Sequence, residues 1–138
     1  MKSHRLIVCS FLCLFALALF APAPNAQSGG ATQRPVDISG TWVGTTEVPD
    51  QGTDQVTMVL KKAENGYTGT IADSLAVITP GTELREVSFT DGTLSYSFSL
   101  TDGAIVTIKL KVDDAKMTGE WTHQEGQTGT IVFERKKA

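Results

Sequence analysis

The sequence predicts an all-β protein, an eight-stranded antiparallel up-and-down (meander) β-barrel that follows a cleaved signal peptide. From residue 38 onward, short stretches alternate between apolar and polar residues and show no sustained helical periodicity. Turn pairs starting at Asp91, Asp102 and Asp113 separate these stretches at intervals of 11 residues. Asp-Gly between alternating stretches is typical of tight hairpins, so each strand is expected to pair with the next.

Residues 1–26 are predicted to be the signal peptide. Lys2 and Arg5 precede the predominantly apolar run "LIVCSFLCLFALALFA" of 16 residues, and "PAPNA" supplies small, helix-breaking residues at its end. This is the three-part layout of a secretory signal, and the run is short for a membrane helix. Cleavage is expected after Ala26, and an uncleaved membrane anchor is the alternative.

Removal of this segment changes the composition of the chain. Both cysteines, Cys9 and Cys13, lie inside it, so the mature domain must fold without disulfides. The mature chain carries 10 basic and 15 acidic side chains, a net charge of −5, with no basic cluster beyond its last residues. Nucleic acid is therefore excluded as a partner, no membrane span remains, and we expect a bacterial periplasmic or secreted protein.

The mature chain divides into a flexible Gly- and Pro-containing leader, residues 27–37, and one barrel domain, residues 38–137. Eight strands are predicted, at residues 41–48, 55–63, 66–72, 84–90, 93–100, 104–112, 115–123 and 128–136. The sequence contains no helix to cover one face of such a sheet. Closure into a barrel buries that face and removes both sheet edges, whereas an open two-sheet sandwich is the alternative.

The apolar positions of these strands predict the barrel interior. The inward set is Trp42, Thr46, Met58, Leu60, Tyr67, Ile71, Val87, Phe89, Tyr96, Phe98, Val106, Ile108, Met117, Trp121 and Phe133. Gly44, Gly69 and Gly119 share this face in mid-strand. They leave space either for a ligand or for strand coiling and aromatic rings on other strands.

One connection is too long for a hairpin and too apolar for a solvated loop. Residues 73–83 join the third and fourth predicted strands and contain Leu75, Val77 and Ile78. Long loops at a barrel end are often lids or binding loops. This loop is therefore expected to form either the lip of a site or a plug over the barrel end.

Two short motifs at the ends of the domain carry a family resemblance. "GTW" on the first strand and "FERK" on the last resemble the calycin superfamily of lipocalins, fatty-acid-binding proteins and avidins. The resemblance implies that Trp42 closes one barrel end and that Arg135 packs across it. Antiparallel pairing of the first and last strands would bring the same two residues together, with the guanidinium on the indole face.

The mature chain also resembles small secreted bacterial barrel domains found beside periplasmic serine hydrolases, through the run from "GTW" and "GTI" to "VSF", "GEW" and a terminal "F-R". The tryptophan set and polar ring with which avidins bind biotin have no counterpart in this sequence. The helical lid of fatty-acid-binding proteins is absent as well. Neither biotin nor fatty-acid binding is therefore implied.

The sequence contains little catalytic material. His123 is the only histidine of the mature chain, and no Gly-x-Ser-x-Gly elbow accompanies it. Glu120, His123 and Glu125 could suggest a metal site, but residues 120 and 123 point to opposite faces of a strand. No catalytic site, metal site or cofactor is predicted.

The leading prediction is an exported, non-catalytic, lipocalin-like barrel that binds a small apolar or amphipathic molecule at the end opposite Trp42. The expected site residues are Tyr67, Tyr96, Phe98, Leu75, Val77 and Ile78. The alternative is an accessory or protein-interaction module with a filled interior, in which residues 73–83 contact a partner. An enzyme that depends on His123 is the third possibility.

Overall fold

Nine β-strands follow one another along residues 35–138, the part of the chain that the computed structural model describes. They are β1 (Gly40–Val48), β2 (Gly52–Ala63), β3 (Gly66–Asp73), β4 (Thr82–Glu83), β5 (Arg85–Thr90), β6 (Thr93–Ser99), β7 (Ile105–Asp113), β8 (Lys116–His123) and β9 (Thr128–Arg135). The predicted signal peptide lies outside the described residues. Within them, no helix has the length and apolarity that a membrane span requires.

The strands form one antiparallel sheet in the order β4-β3-β2-β1-β9-β8-β7-β6-β5. The first and last strands are neighbours in this order, with Gly44 opposite Phe133. The two edge strands, β4 and β5, are consecutive in the chain, and β5 also contacts β3. The sheet therefore curls into a nearly closed barrel, which confirms the predicted all-β meander and excludes the open sandwich.

The predicted count of eight strands is wrong, because the expected fourth strand is divided. Thr82–Glu83 pairs with β3, and the Leu84 amide donates to the Gly69 carbonyl at 2.9 Å. The chain then shifts register between Arg85 and Ser88, where Glu86 has a φ of 52°. A bulge bends a strand. The segment consequently pairs with β3 at its start and with β6 for the rest of its length.

Side chains, rather than a backbone ladder, span the gap between β3 and β5 in the described barrel. The rings of Tyr67 and Phe89 meet edge to face with centroids 6.0 Å apart, and Leu84 is buried beside Gly69. Tyr67, Phe89 and Val87 are only partly buried, whereas the other predicted inward residues are buried. Besides these positions, the core contains Ile38, Val56, Ile78, Leu84, Leu94, Ala104, Leu110 and Ile131.

The mid-strand glycines make room for rings and backbone. A Cβ added at Gly44 would lie 2.6 Å from the Phe133 ring on the paired strand, and one at Gly129 would lie 2.5 Å from the ring of Trp121. At Gly69 and Gly119 the added atom would meet a carbonyl oxygen of the neighbouring strand. These glycines therefore permit close packing and provide no space for a ligand.

Trp42 and Arg135 close one barrel end. The guanidinium carbon of Arg135 lies 4.3 Å from the centroid of the fully buried Trp42 ring. Its Nη1 and Nη2 atoms donate to the carbonyls of Ser39 at 2.6 Å and Asp37 at 2.9 Å. The indole Nε1 donates to the Ile38 carbonyl at 3.0 Å. The segment that precedes β1 is thus fastened across the barrel end by both side chains.

Replacement of Arg135 by alanine should lower the free energy of unfolding by roughly 2–3 kcal/mol, because two charge-assisted hydrogen bonds and a cation–π contact are lost. Arg135→Lys should recover only part of the loss, since an ammonium cannot stack on the ring and donate in two directions like a guanidinium. Urea unfolding measures the difference. Arg85→Ala, at an exposed arginine of β5, is the matched control and should change stability by less than about 0.5 kcal/mol. Equal losses at the two positions would contradict the closing role of Arg135.

Candidate functional site

The barrel end opposite Trp42 opens into a cavity of about 410 Å³. Its mouth includes the β1–β2 turn, the β6–β7 turn and the end of β8. The apolar part of its wall consists of Val48, Pro49, Val56, Ile71, Val77, Ile78, Phe98, Leu100, Val106, Ile108, Trp121 and Ile131. Cavities of about 300–1,000 Å³ with mainly apolar walls are typical of small-molecule sites.

Two aspartates hold the loop that follows β3 against this cavity. Asp73 accepts hydrogen bonds from the amides of Val77 at 2.9 Å and Ile78 at 3.0 Å. Asp54 accepts from the amide and hydroxyl of Ser74 at 3.1 and 2.9 Å. The Val77 carbonyl accepts from the Thr101 amide at 2.9 Å, which ties the loop to the β6–β7 turn. The loop is therefore a fixed wall of the cavity.

The three apolar loop residues differ in position. Ile78 is 4% exposed and belongs to the core, and it lines the cavity together with the partly buried Val77. Leu75 is half-buried and lies outside the cavity wall. The loop consequently combines the two expected roles, since Ile78 helps to fill the barrel end and Val77 forms part of the lip.

Tyr67 lies at the wrong end to line this cavity, so its assignment to the site requires correction. It opposes Lys62 near the β2–β3 turn, and its hydroxyl oxygen accepts from the Ile38 amide at 3.4 Å. β3 runs from the closed end toward the open end, which places its first residues beside the segment that Trp42 and Arg135 fasten. The alternation of β3 predicts that Tyr67 faces inward but does not show at which end.

Phe98 lines the cavity, whereas Tyr96 lies one inward position closer to the closed end. The centroids of the two rings are 6.4 Å apart. Tyr96 is 1% exposed, and its hydroxyl has no hydrogen-bond partner within the described part of the chain. Burial raises the pKa of the Tyr96 phenol above its ordinary value of 10.0. Tyr96 is therefore a core residue beneath the site and not part of the cavity wall.

Trp121 lines the cavity, and a hydrogen bond fixes the orientation of its indole. The sequence predicts that it lies in the interior but assigns it no part in the site. Its Nε1 donates to the Thr46 hydroxyl at 2.9 Å, and that hydroxyl donates to the Thr130 carbonyl at 2.7 Å. Gly129 lies opposite the ring on β9. Thr46, expected inside the barrel, thus fixes the indole and leaves its own hydroxyl fully engaged.

Asp54 is a site residue that the sequence-based prediction missed. It lines the cavity and is only 2% exposed. The sequence did contain a signal for it, because every second residue of a strand lies on the same face. Residue 54 therefore shares the inward face of Val56, Met58 and Leu60. The predicted second strand began at Gln55, one residue too late to include this carboxylate.

His123 lies at the mouth of the cavity. Its Nδ1 accepts from the Glu125 amide at 3.2 Å and lies 4.0 Å from the Glu125 carboxylate. Glu120 is exposed. Residues 35–138 hold no group of three side chains placed to bind a metal ion.

No model of a known protein family and no curated protein matches the sequence. Among solved structures, the chain is similar to a de novo designed fluorescence-activating β-barrel, with a TM-score of 0.50, 15% identity, and coverage of 71% of this chain and 93% of that one. It is also similar to the redesigned barrel mFAP1, bound to DFHBI, with a TM-score of 0.50, 18% identity, and coverage of 70% and 94%. These similarities concern the fold alone, which is a small antiparallel β-barrel.

The unpartnered hydroxyl of Tyr96 leads to a prediction about stability. Tyr96→Phe should raise the free energy of unfolding by about 1 kcal/mol, because it removes a buried polar group that lacks a hydrogen bond within residues 35–138. Urea unfolding at neutral pH measures the change. Tyr67→Phe, at a hydroxyl that accepts a hydrogen bond at the closed end, should be neutral or slightly destabilising. Destabilisation by Tyr96→Phe would contradict the absence of a partner.

The same variant should alter the alkaline limb of the stability profile. The phenol of the unfolded chain ionises near its ordinary pKa of 10.0, whereas burial raises the pKa of Tyr96 in the folded protein. Below that pH the phenol is neutral in both states and adds no pH dependence to the free energy of unfolding. Above it the phenol ionises in the unfolded chain alone, so the free energy of unfolding falls as the pH rises. Tyr96→Phe should unfold less readily than the wild type in this range, and identical profiles would contradict the raised pKa.

Proposed function

We propose that the protein is a non-catalytic barrel that binds one small apolar or amphipathic molecule in the cavity at its open end. The observation that carries the proposal is the apolar wall of a cavity of about 410 Å³ whose loop and indole are already fixed by hydrogen bonds. A site formed before binding avoids the cost of ordering side chains and loops when the ligand enters. The designed barrel mFAP1, which is similar in fold alone, is bound to a small molecule, DFHBI.

The position of the loop favours ligand binding over the alternative of a protein-interaction module. That alternative requires a filled barrel and an apolar loop surface accessible to a partner. In the structure, Val77 and Ile78 face the cavity, and Leu75 is half-buried. The loop is therefore better suited to contain a ligand than to contact a protein.

The ligand proposal can be tested with Nile red, a neutral apolar dye. The wild-type protein should bind one dye molecule and change the fluorescence of Trp121. Val77→Asp should weaken binding about tenfold, because it places a carboxylate in the apolar wall. Only the amide and carbonyl of Val77 make hydrogen bonds, so this substitution leaves them in place.

Val132→Asp is the matched control, since Val132 is an exposed valine of β9 outside the cavity wall. It should leave the dye affinity unchanged. Native mass spectrometry of the purified protein should in addition detect a bound small molecule or the dye complex. A folded protein that is ligand-free and takes up no dye would contradict the proposed function.

Residues 1–26 further support a proposal that the chain is exported by a bacterium to the periplasm or the medium. When the full sequence is expressed in a bacterial host, intact-mass analysis of the exported fraction should show a chain that begins at Gln27. That chain contains neither Cys9 nor Cys13, so a thiol reagent should add no mass. A cell-retained product that keeps Met1 and both thiols would contradict export.

A further inference from the structure

Acidic side chains dominate the charge of the cavity wall. Asp50, Asp54, Asp102 and Glu125 line the cavity, and among the described residues its wall contains no lysine or arginine. Asp102 belongs to the β6–β7 turn, Asp50 to the β1–β2 turn and Glu125 to the β8–β9 turn. Carboxylates from three separate turns therefore surround one opening whose interior is apolar.

Asp54 differs from the other three because it is 2% exposed. Both of its described hydrogen bonds, from the Ser74 amide and hydroxyl, end on Oδ1. None of the described hydrogen bonds ends on Oδ2, and Asp54 is one of the residues that line the cavity. A buried carboxylate is costly without a compensating charge or hydrogen bonds. The described part of the cavity wall contains no lysine or arginine, and its histidine, His123, lies beside Glu125 at the mouth. A ligand that enters the cavity can therefore supply the positive charge for Asp54.

The basic side chains of the barrel are concentrated at the other end. Around the β2–β3 turn, the β7–β8 turn and the end of β9 lie Lys61, Lys62, Lys111, Lys116, Arg135, Lys136 and Lys137. The remaining basic residues of the described chain, Arg85 and Lys109, are exposed on its outer surface. The same end also carries the carboxylates of Asp37, Glu64, Asp91, Asp113, Asp114 and Glu134, so the charges there nearly balance. The described mouth has no lysine or arginine to balance its carboxylates, and it therefore attracts cations and repels anions.

Given the binding function proposed above, we infer that the ligand is an amphipathic cation. Its apolar body occupies the cavity, and its amine or quaternary ammonium group lies beside Asp54 and the acidic turns. Phe98 and Trp121 contribute aromatic rings to the same wall, and aromatic faces attract cations. The apolar wall selects ligands with an apolar body, whereas the carboxylates select ligands whose head group is positively charged.

Two probes with the same alkyl chain separate these contributions. Decyltrimethylammonium and decanoate are titrated by calorimetry into the mature protein at low salt, below the concentrations at which they form micelles. The cation should bind at least about tenfold more tightly than the anion, and added salt should reduce the difference. Asp54→Asn should weaken binding of the cation about tenfold, while binding of decanoate is unchanged or stronger. The asparagine keeps an acceptor for Ser74.

Asp50→Asn provides a second variant that does not disturb the interior. Asp50 is exposed and has a φ of 64°, a conformation that asparagine also tolerates. It should weaken binding of the cation about two- to threefold by removing one rim charge. Glu134→Gln, at an exposed carboxylate of β9 outside the cavity wall, is the matched control and should have no effect on either probe.

The outcomes distinguish this inference from the function on which it depends. Decanoate that binds as tightly as the cation would overturn the inference but leave a small-molecule site in place. Cation binding that survives both aspartate substitutions unchanged would also overturn it. A folded protein that binds neither of the two probes nor Nile red would overturn the proposed function as well.

Discussion

The contact between Arg135 and Trp42 is the interaction on which the rest of the barrel depends. It joins the end of the last strand to the start of the first, so it can form only when the sheet has curled around on itself. The same guanidinium binds the carbonyls of Asp37 and Ser39, which places Ile38 beneath the end of the barrel. Because this end is filled, the cavity is confined to the opposite end.

At the open end, hydrogen bonds hold the loop and the indole in place, and no aromatic side chain closes the described opening as Trp42 closes the other end. Asp73 and Asp54 hold the loop after β3, and Thr46 orients Trp121. The cavity is consequently bounded by groups whose conformations are already determined. In the proposed function these groups fit an apolar body, and the charge of the mouth then selects the head group.

The fold could be predicted largely from local sequence, and the candidate site only in part. The Asp-Gly turns and the alternation of residues 93–112 indicate an antiparallel meander, and most inward residues followed from parity. The division of the fourth strand could not be predicted, because the positive φ at Glu86 arises where the chain bends between two edges. The prediction places Tyr67 at the wrong end, because the alternation of side chains along a strand shows which face a residue lies on but not how far it is from either end of the barrel.

The sequence by itself determined the fold class, the pairing of successive strands and the aromatic end formed by Trp42. These features depend on residue periodicity, turn chemistry and one motif, all of which act over short distances in the chain. Only the tertiary structure decided that the opposite end is a cavity, that Tyr96 lies below it and that Asp54 faces it. A cavity is the space that distant side chains leave between them, and its volume therefore depends on how all the strands curve together.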